Sequence, residues 1–575
     1  MSIDIILSKK GFYMMQNEKT KSVLRMVGGF VVATLINFLL YYVMLPPINI
    51  YSRGFWFFLM LVLIIYGAVM GVFNLGKKKQ NESASFSVNG KSHTVSFIKN
   101  NRFSMIYTLL IPIPLVVIIL GSLFSSTLFN ATSYANVIEV KEEVFATDMP
   151  EVDQVTNIAL LDTVSAQRLG ARELGVLSDV VSQFVLSDVY TQINYQGKPM
   201  KVSDLGYDGF FKWLNNKDSG IPGYIMVDAV GNKAEYKKLS KNMVYSESAY
   251  FGEYLERKLR FDYPTKIFDN ISFEVDEEGN PFYIVSCSSP KVGLFGAMDI
   301  SEVIIFNPID GSSTLYGLAD VPSWVDVVFD GYLACEKYDW KGLYAGGYWN
   351  SIIGQKNCKQ TTDDFGYLML DDDVWYFTGV TSVTADESNI GFILSCARTG
   401  EYKFYPVIGA EEYSAMGAAQ GEVQEKGYKA SFPALVNIAG EPTYIMVLKD
   451  ANQLVKLYAL VNVEQYNLVA TGETQASAIS AYIKLISENG VETPDLPNDT
   501  ENMTEITVSD VQVRTLSGVT YYYLTDENGK VWRVEFSEAN EAIFFVKEGS
   551  KMKISATLNE KTGINTVYTW EFVSE

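Results

Sequence analysis

MVGGFVVATLINFLLYYVML, residues Met26–Leu45, is the first of three uncharged apolar stretches that decide the fold of this 575-residue chain. The second is Gly54–Leu75, GFWFFLMLVLIIYGAVMGVFNL, and the third is Met105–Asn130, MIYTLLIPIPLVVIILGSLFSSTLFN. A helix of about 20 residues crosses a hydrocarbon layer of roughly 30 Å. We therefore predict a membrane domain over 1–130 with three transmembrane helices, at about 26–45, 54–75 and 105–128.

The distribution of lysine and arginine predicts the orientation of these helices. Five basic residues precede the first stretch and six lie between the second and third, but only Arg53 lies between the first and second. Strongly basic flanks stay on the cytoplasmic side of a membrane. We expect a cytoplasmic N-terminus, a cytoplasmic loop over 76–104 and an extracytoplasmic location for the chain after about residue 130. Pro112 and Pro114 should kink the third helix.

Charge divides the chain near the same boundary. Residues 1–103 carry 12 basic and 3 acidic side chains, whereas residues 104–575 carry 34 basic and 64 acidic ones. A basic inner segment suits an anionic inner leaflet. An acidic outer region repels phosphates, so nucleic acid is excluded as a partner. We expect a multi-pass protein of a bacterial cell membrane.

The cysteine count is low, and no CxxC pair favours a zinc site. An exported domain could join two of the cysteines in a disulfide, or they could lie buried as apolar residues. The four are Cys287, Cys335, Cys358 and Cys396.

The outer region, 131–488, is mostly strand-like and contains an irregular internal repeat. The stretch from Pro222 to Val227, PGYIMV, recurs at Pro281 as PFYIVS and at Pro442 as PTYIMV. Proline is tolerated at the first residue of a strand. We therefore predict an α+β region, with two or more subdomains, in which each copy starts a strand that continues into a hairpin.

The third copy runs on into a helix-like segment, TQASAISAYIKLISE, at Thr474–Glu488. This order of strand, strand and helix resembles the small PepSY-type extracytoplasmic modules. The resemblance covers about 50 residues and implies a helix packed on an antiparallel sheet, with no catalytic residues.

The C-terminal part of the chain reads as a separate unit. Residues 489–505 are polar with two prolines and predict a linker. Residues 506–575 contain five short strand-like runs: ITVSDVQVRTL, VTYYYLTD, VWRVEFS, AIFFVKEG and KMKISATLN. Five short strands within about 70 residues favour a small β-barrel of the OB or SH3 kind.

Carboxylates are the main candidates for chemistry, since the only histidine, His93, precedes the outer region. TTDDFGYLMLDDDVWYFTG, Thr361–Gly379, contains five aspartates. Strands at 366–370 and 374–383 would separate its two aspartate groups by roughly 25 Å, too far for one catalytic pair. Asp363 and Asp364 would then share one edge with Asp386 and Glu387. This quartet could bind Ca²⁺ or form a glycosidase pair, or its members could simply be turn residues.

Aromatic side chains are the second candidate site. The segment YDWKGLYAGGYWN contains Trp340, Tyr344, Tyr348 and Trp349 among glycines. Such rings can stack on sugars or anchor a protein partner, although they can also form core packing.

The sequence contains no phosphate loop, dinucleotide fingerprint or EF-hand spacing, so we assign no catalytic residue and no cofactor apart from possible calcium. We expect a non-enzymatic membrane protein whose extracytoplasmic domain binds or scaffolds an envelope protein or wall polysaccharide, in cell-envelope organisation or as an accessory subunit of a membrane complex. The alternatives are a wall-acting carboxylate hydrolase and a membrane-anchored sensor.

Overall fold

Two apolar helices begin the chain, at Ile3–Met44 and Arg53–Asn74. In the computed structural model, Val23–Met44 and Arg53–Phe73 are long and apolar enough to cross a membrane. The first two predicted spans are therefore confirmed as helices, and they are consistent with membrane anchoring. The structure describes residues 3–74, 81–88, 91–98, 109–152, 158–177, 182–383, 385–491, 503–516, 519–536, 538–559 and 563–573.

The third apolar stretch forms two helices with a bend between them, rather than the single helix that was predicted. Helix Pro112–Phe124 is followed after a bend of 53° by helix Thr127–Ala135, and the pair counts as a third span only if the two are taken together. The prolines lie at the N-terminal end of their helix, where a missing N–H is tolerated. The bend falls instead at Ser125–Ser126, because Ser126 has an extended backbone with ψ 159°.

Beyond the membrane-type helices the described chain is a mixed α+β structure built from several sheets. Shorter helices precede or follow the sheets. They lie at Phe145–Asp148, Thr163–Val176, Phe210–Asn216, Leu255–Asp262, Gly331–Tyr344, Glu412–Glu422 and Gln475–Glu488. Short 3₁₀ or π segments lie at Phe251–Glu253, Leu318–Asp320, Asn350–Gly354, Gln424–Lys426 and Glu538–Phe545.

Four sheets follow one another along the outer region, and each is built mainly from antiparallel neighbours. The first sheet comprises Phe184–Leu186, Thr191–Tyr195, Lys198–Tyr207, Ile221–Asp228 and Lys233–Met243. The second sheet comprises Ile267–Val275, Pro281–Val292, Gly296–Phe306 and Ser313–Gly317. The third sheet comprises Lys141–Glu142, Lys359–Thr361, Gly366–Leu370, Asp373–Ser382, Ala385–Cys396, Tyr402–Tyr405 and Gly409–Ala410. The fourth sheet comprises Lys429–Ala430, Ala434–Ile438, Glu441–Lys449, Val455–Asn462 and Val469–Gly472.

The sheets pack in pairs around shared cores. The first and second sheets bury one apolar cluster, in which the rings of Tyr224 and Phe273 lie 5.7 Å apart. The third and fourth sheets bury another, in which Phe392 and Tyr444 lie 5.8 Å apart. A sheet must cover its apolar face, and helix Gln475–Glu488 also contributes to the second of these clusters through Ile479 and Tyr482.

The repeated Pro-x-Tyr strands are central to these cores. Tyr224, Tyr283 and Tyr444 are each no more than 2% exposed. Each lies on a strand that pairs with the next strand as an antiparallel hairpin. The prediction that the repeat starts a strand and hairpin is therefore confirmed.

The C-terminal sheet has five strands that pair in a closed order. They are Thr504–Leu516, Val519–Asp526, Val531–Glu535, Lys551–Asn559 and Ile564–Phe572. Closure follows because Thr504–Leu516 pairs with Lys551–Asn559 as well as with its sequence neighbour. One predicted strand, AIFFVKEG, was wrong: Glu538–Phe545 is a 3₁₀ helix, and the fifth strand is Ile564–Phe572.

The loop over 76–104 contains an antiparallel hairpin of strands Asn81–Val88 and Lys91–Ile98. Most of the predicted linker over 489–505 lies outside the described residues.

Candidate functional site

The aspartate-rich segment forms the predicted hairpin. Strand Gly366–Leu370 pairs with Asp373–Ser382 through a two-residue turn at Asp371 and Asp372, whose φ values are 51° and 65°. Aspartate tolerates this left-handed backbone. Asp373 does not face solvent freely, because Arg398 holds it in a two-pronged ion pair with distances of 2.6 and 2.7 Å.

The predicted calcium quartet is divided by a strand. Asp363 and Asp364 are exposed and lie between two strands that pair with one side of Asp373–Ser382. Asp386 and Glu387 belong to strand Ala385–Cys396 on its other side. The side chains of Asp386 and Glu387 lie outside the described part, so calcium binding by the quartet stays a prediction. Among described residues no group of three or more carboxylate, cysteine or histidine side chains could hold a metal ion.

The four predicted binding aromatics separate into two pairs. Trp340 and Tyr344 pack edge-on against Tyr134, with ring centroids 5.1 and 6.4 Å away. Tyr348 and Trp349 contact each other at 5.5 Å. The first pair therefore packs helix Gly331–Tyr344 against helix Thr127–Ala135, which contains Tyr134.

The second pair, Tyr348 and Trp349, directly precedes the π turn Asn350–Gly354, which carries exposed apolar side chains. Trp349, Ile352 and Ile353 are 67%, 58% and 76% exposed. We call these three residues the Trp349 patch. Exposed apolar patches of this kind mark interaction sites.

All four cysteines are free, and Cys287, Cys358 and Cys396 are buried. The alternative in which they serve as apolar core residues is therefore the one the structure supports.

A second candidate site, not foreseen from the sequence, lies where the second sheet meets the apolar helices. The loop after the first apolar helix bonds to the loop before the second sheet: Ile48 N donates to the carbonyl of Pro264 at 2.6 Å, and Asn49 Nδ2 donates to that of Thr265 at 2.8 Å. We call this contact region the junction.

The helix Leu255–Asp262 supplies the cations of the junction. Arg257 and Arg260 lie three residues apart, hence on one helix face. Arg257 Nε donates to the carbonyl of Tyr42 at 3.1 Å, and Arg260 Nε donates to that of Leu45 at 3.0 Å. Leu259 is fully buried on the face that packs into the protein.

The third apolar stretch reaches the same sheet. The buried hydroxyl of Ser125 accepts hydrogen bonds from the main-chain N–H groups of Leu294 at 2.8 Å and Phe295 at 3.1 Å. Arg53, at the start of the second apolar helix, lies 5.7 Å from the ring centroid of Phe295. All three apolar segments therefore contact the second sheet at one end.

A cavity of about 330 Å³ opens beside the junction. This volume is at the lower end of the range for small-molecule sites. Its lining residues are Glu247, Glu256, Arg260, Phe268, Asp269, Asn270 and Ile271.

The electrostatics of the cavity come from carboxylates around one buried guanidinium. Withdrawal from solvent, and then the charges of Asp204 and Glu256, raise the pKa of Glu247 to about 7, although part of this residue remains exposed. Burial lowers the pKa of Arg260, which still remains protonated at neutral pH. Its guanidinium lies 4.0 Å above the ring of Phe268. Three carboxyl groups, those of Glu247, Glu256 and Asp269, thus share the lining with one guanidinium, and the lining is acidic overall.

Single-sequence reasoning missed this cavity because its lining comes from three separate segments. One local signal was available: Arg257 and Arg260 form a basic pair at helical spacing within a strongly acidic region.

Comparison with protein-family models and with curated proteins gives no match. A solved structure from a structural and mechanistic study of two prolyl endopeptidases is similar at 8% identity and a TM-score of 0.17, over 86% of this chain and 59% of that chain. This chain thus spans less than two thirds of that protein's length. A TM-score this low supports no argument about fold or activity.

Proposed function

We propose that this chain is a non-enzymatic, membrane-anchored protein of the bacterial cell envelope whose extracytoplasmic domain binds or scaffolds another envelope component. The observation that carries the proposal is the Trp349 patch, three exposed apolar side chains on a domain fixed to apolar helices. The partner class is an envelope protein or a wall polysaccharide.

The junction supports the proposed topology. The loop between the first two apolar helices and the end of the third stretch both bond to the second sheet. In the proposed topology these ends lie on one side of the membrane, together with the outer region. The N-terminus and the loop over 76–104 then face the cytoplasm, as their basic residues also favour.

The test is photo-crosslinking in intact cells. A benzophenone amino acid replaces Trp349 or Ile353 in the full chain, and a matched control carries it at Val23, which is 53% exposed at the start of the span Val23–Met44. We expect adducts with an outer protein or wall fragment from the two outer positions but not from Val23.

Adducts with lipid alone would contradict the assignment of the patch. Wall-degrading activity of the purified protein that Asp363→Asn abolishes would instead establish the hydrolase alternative.

A sensor is the second candidate, favoured by the position of Arg260. This side chain lines the cavity and also bonds Leu45 at the end of the first apolar helix. That helix has 42 residues. At 1.5 Å per residue it is about 63 Å long, twice the hydrocarbon thickness, so it could carry a signal inward.

The sensor candidate is tested by thermal unfolding of the full chain with small amines such as spermidine. We expect a higher melting temperature with the amine in the wild type and a smaller rise in Glu247→Gln. An equal rise in both proteins would argue against the cavity as the binding site.

A further inference from the structure

Four aromatic residues form a continuous exposed surface near the junction. Two begin the helix Phe210–Asn216, and two lie at the start of the 3₁₀ turn Phe251–Glu253. Phe210 lies 5.6 Å from Phe211, 5.2 Å from Tyr250 and 6.4 Å from Phe251, measured between ring centroids. Phe211 is 76% exposed and Phe251 is 56% exposed. We call these four residues the aromatic ledge.

The ledge is firmly supported from below. Trp213 is buried, and its ring lies 5.4 Å from Tyr250 and 5.7 Å from Phe251. Its indole N–H donates to Glu253 at 2.7 Å, which fixes the ring. The exposed aromatic rings therefore project from an ordered base.

Phe251 has an unusual backbone. Its φ of 52° is in the left-handed region, which bulky residues rarely adopt. A conformation of this kind costs about 1–3 kcal/mol and persists where the surrounding structure enforces it, often at functional sites. Here it holds a phenylalanine ring out toward solvent.

The position of the ledge relative to the first apolar helix indicates what covers it. Arg257 Nη1 donates to the carbonyl of Phe251 at 2.5 Å, while its Nε donates to that of Tyr42. The guanidinium also lies 4.0 Å above the Tyr42 ring. Tyr42 is two residues before the helix end at Met44, about 3 Å along the axis. Phe251 is thus level with the last turn of this helix.

A further exposed aromatic residue packs against the last turn of the first apolar helix. Phe261 is 45% exposed, and its ring contacts those of Tyr41 and Tyr42 at 5.8 and 6.3 Å. Aromatic side chains at the end of a membrane span prefer the headgroup region of the bilayer.

We infer that the aromatic ledge inserts into the outer headgroup region of the bilayer and rests the outer domain on the lipid surface. This inference rests on the membrane anchoring proposed above. The driving force is burial of aromatic surface, since the charges that flank the two segments along the chain, Asp208, Lys212, Glu247 and Glu253, include no excess of cations. Zwitterionic lipid is therefore sufficient, and anionic lipid adds little.

The experiment places a nitroxide spin label at single sites of the full chain in phosphatidylcholine nanodiscs. Phe211→Cys reports the ledge, Leu39→Cys reports the first apolar helix and Leu454→Cys reports a distant hairpin turn. The three native residues are 76%, 63% and 51% exposed, so labelling disturbs little. Labelled wild type corrects for the native cysteines.

We expect the labels at 211 and 39 to be more accessible to oxygen than to a water-soluble nickel complex. The label at 454 should be more accessible to the nickel complex. If the nickel complex reached the labels at 211 and 454 equally while the label at 39 stayed in lipid, the insertion of the ledge would be contradicted. Membrane anchoring would be unaffected by that result. Nickel access at 39 would overturn both. Spin–spin broadening at 211 that disappears on dilution with unlabelled protein would assign the ledge to a second copy and overturn the lipid assignment.

Discussion

Arg260 of the outer domain donates a hydrogen bond of 3.0 Å to the main-chain carbonyl of Leu45, directly after the first apolar helix. The same guanidinium donates to the carbonyl of Lys266 at 2.5 Å. One buried cation therefore joins the helix end to the loop before the second sheet. This arrangement fixes the outer domain to the helix without an ion pair.

Arg260→Ala should weaken this attachment. Hydrogen bonds from a charged donor contribute about 1.5–3 kcal/mol, and the carbonyls left behind are poorly solvated. We expect a loss of about 3 kcal/mol in unfolding free energy and faster proteolysis of the loop 45–53, measured in detergent. Lys258→Ala is the matched control, because its ion pair with Asp262 is partly exposed and should contribute under about 1 kcal/mol. Equal effects of the two changes would contradict the role of Arg260.

A buried pair of carboxyl groups should make stability fall as pH rises. Glu274 is fully buried and accepts main-chain hydrogen bonds from Asp326 at 2.8 Å and Val327 at 3.0 Å. Burial raises the pKa of Glu274, and burial together with the charge of Glu274 raises that of Asp326. The folded state therefore holds protons that the unfolded state, with carboxyl pKa values of about 4, releases.

The sign follows from this difference in bound protons. Between the unfolded pKa and the raised folded pKa values, each pH unit should lower the unfolding free energy by up to about 1.4 kcal/mol per proton. Asp326→Asn should remove part of this slope and stabilise the protein above neutral pH, as measured by chemical denaturation from pH 5 to 9. Asp363→Asn, at an exposed carboxylate, should leave the slope unchanged. A wild type that gains stability between pH 5 and 8, below the range in which Lys201 contributes, would contradict the assignment.

The sequence predicted those features that depend on local patterns. The uncharged runs at Met26–Leu45 and Gly54–Leu75 gave two helices because a membrane requires such runs. The hairpin at Asp371 and Asp372 was predictable because aspartate suits a left-handed turn.

The features that the sequence did not predict depend on tertiary contacts rather than on local residue patterns. The run AIFFVKEG is short and apolar, and such a run fits a strand or a buried helical turn equally well. Helix Pro112–Phe124 bends at two serines rather than at its prolines, which a pattern of residue types does not reveal. The junction depends on contacts more than 200 positions apart, such as Arg260 with Leu45. A single sequence carries no signal for contacts at this separation beyond the basic pair Arg257 and Arg260 itself.

Lys201 should have the opposite pH dependence. It is 1% exposed, and its ammonium group lies 4.7 Å from the ring centroid of Tyr367. Burial lowers its pKa to about 8, against about 10.4 for an unfolded lysine. Below pH 8 the folded state therefore carries the full desolvation penalty. Between pH 8 and 10 the contribution of Lys201 to stability should rise as the buried amine loses its proton, which opposes the fall caused by the carboxyl pair.

Lys201→Met should remove this penalty and the associated slope. We expect it to stabilise the protein by about 1–3 kcal/mol at pH 7 and to abolish the rise above pH 8, measured by denaturant unfolding. Lys238→Met on the same sheet, at an exposed position, is the control and should change neither quantity. Destabilisation by Lys201→Met at pH 7 would show that its contact with Tyr367 outweighs desolvation.

The strained backbone of Phe251 gives a prediction that separates strain from packing. Phe251→Ala and Phe251→Gly both remove the ring, but only glycine adopts a φ of 52° without steric cost. The glycine variant should therefore be more stable than the alanine variant by about 1 kcal/mol in detergent, as measured by thermal unfolding. Equal stabilities would show that the left-handed conformation relaxes once the ring is removed. Because Phe251 is 56% exposed, each variant should still fold, and both should give the spin label at position 211 greater access to water in nanodiscs.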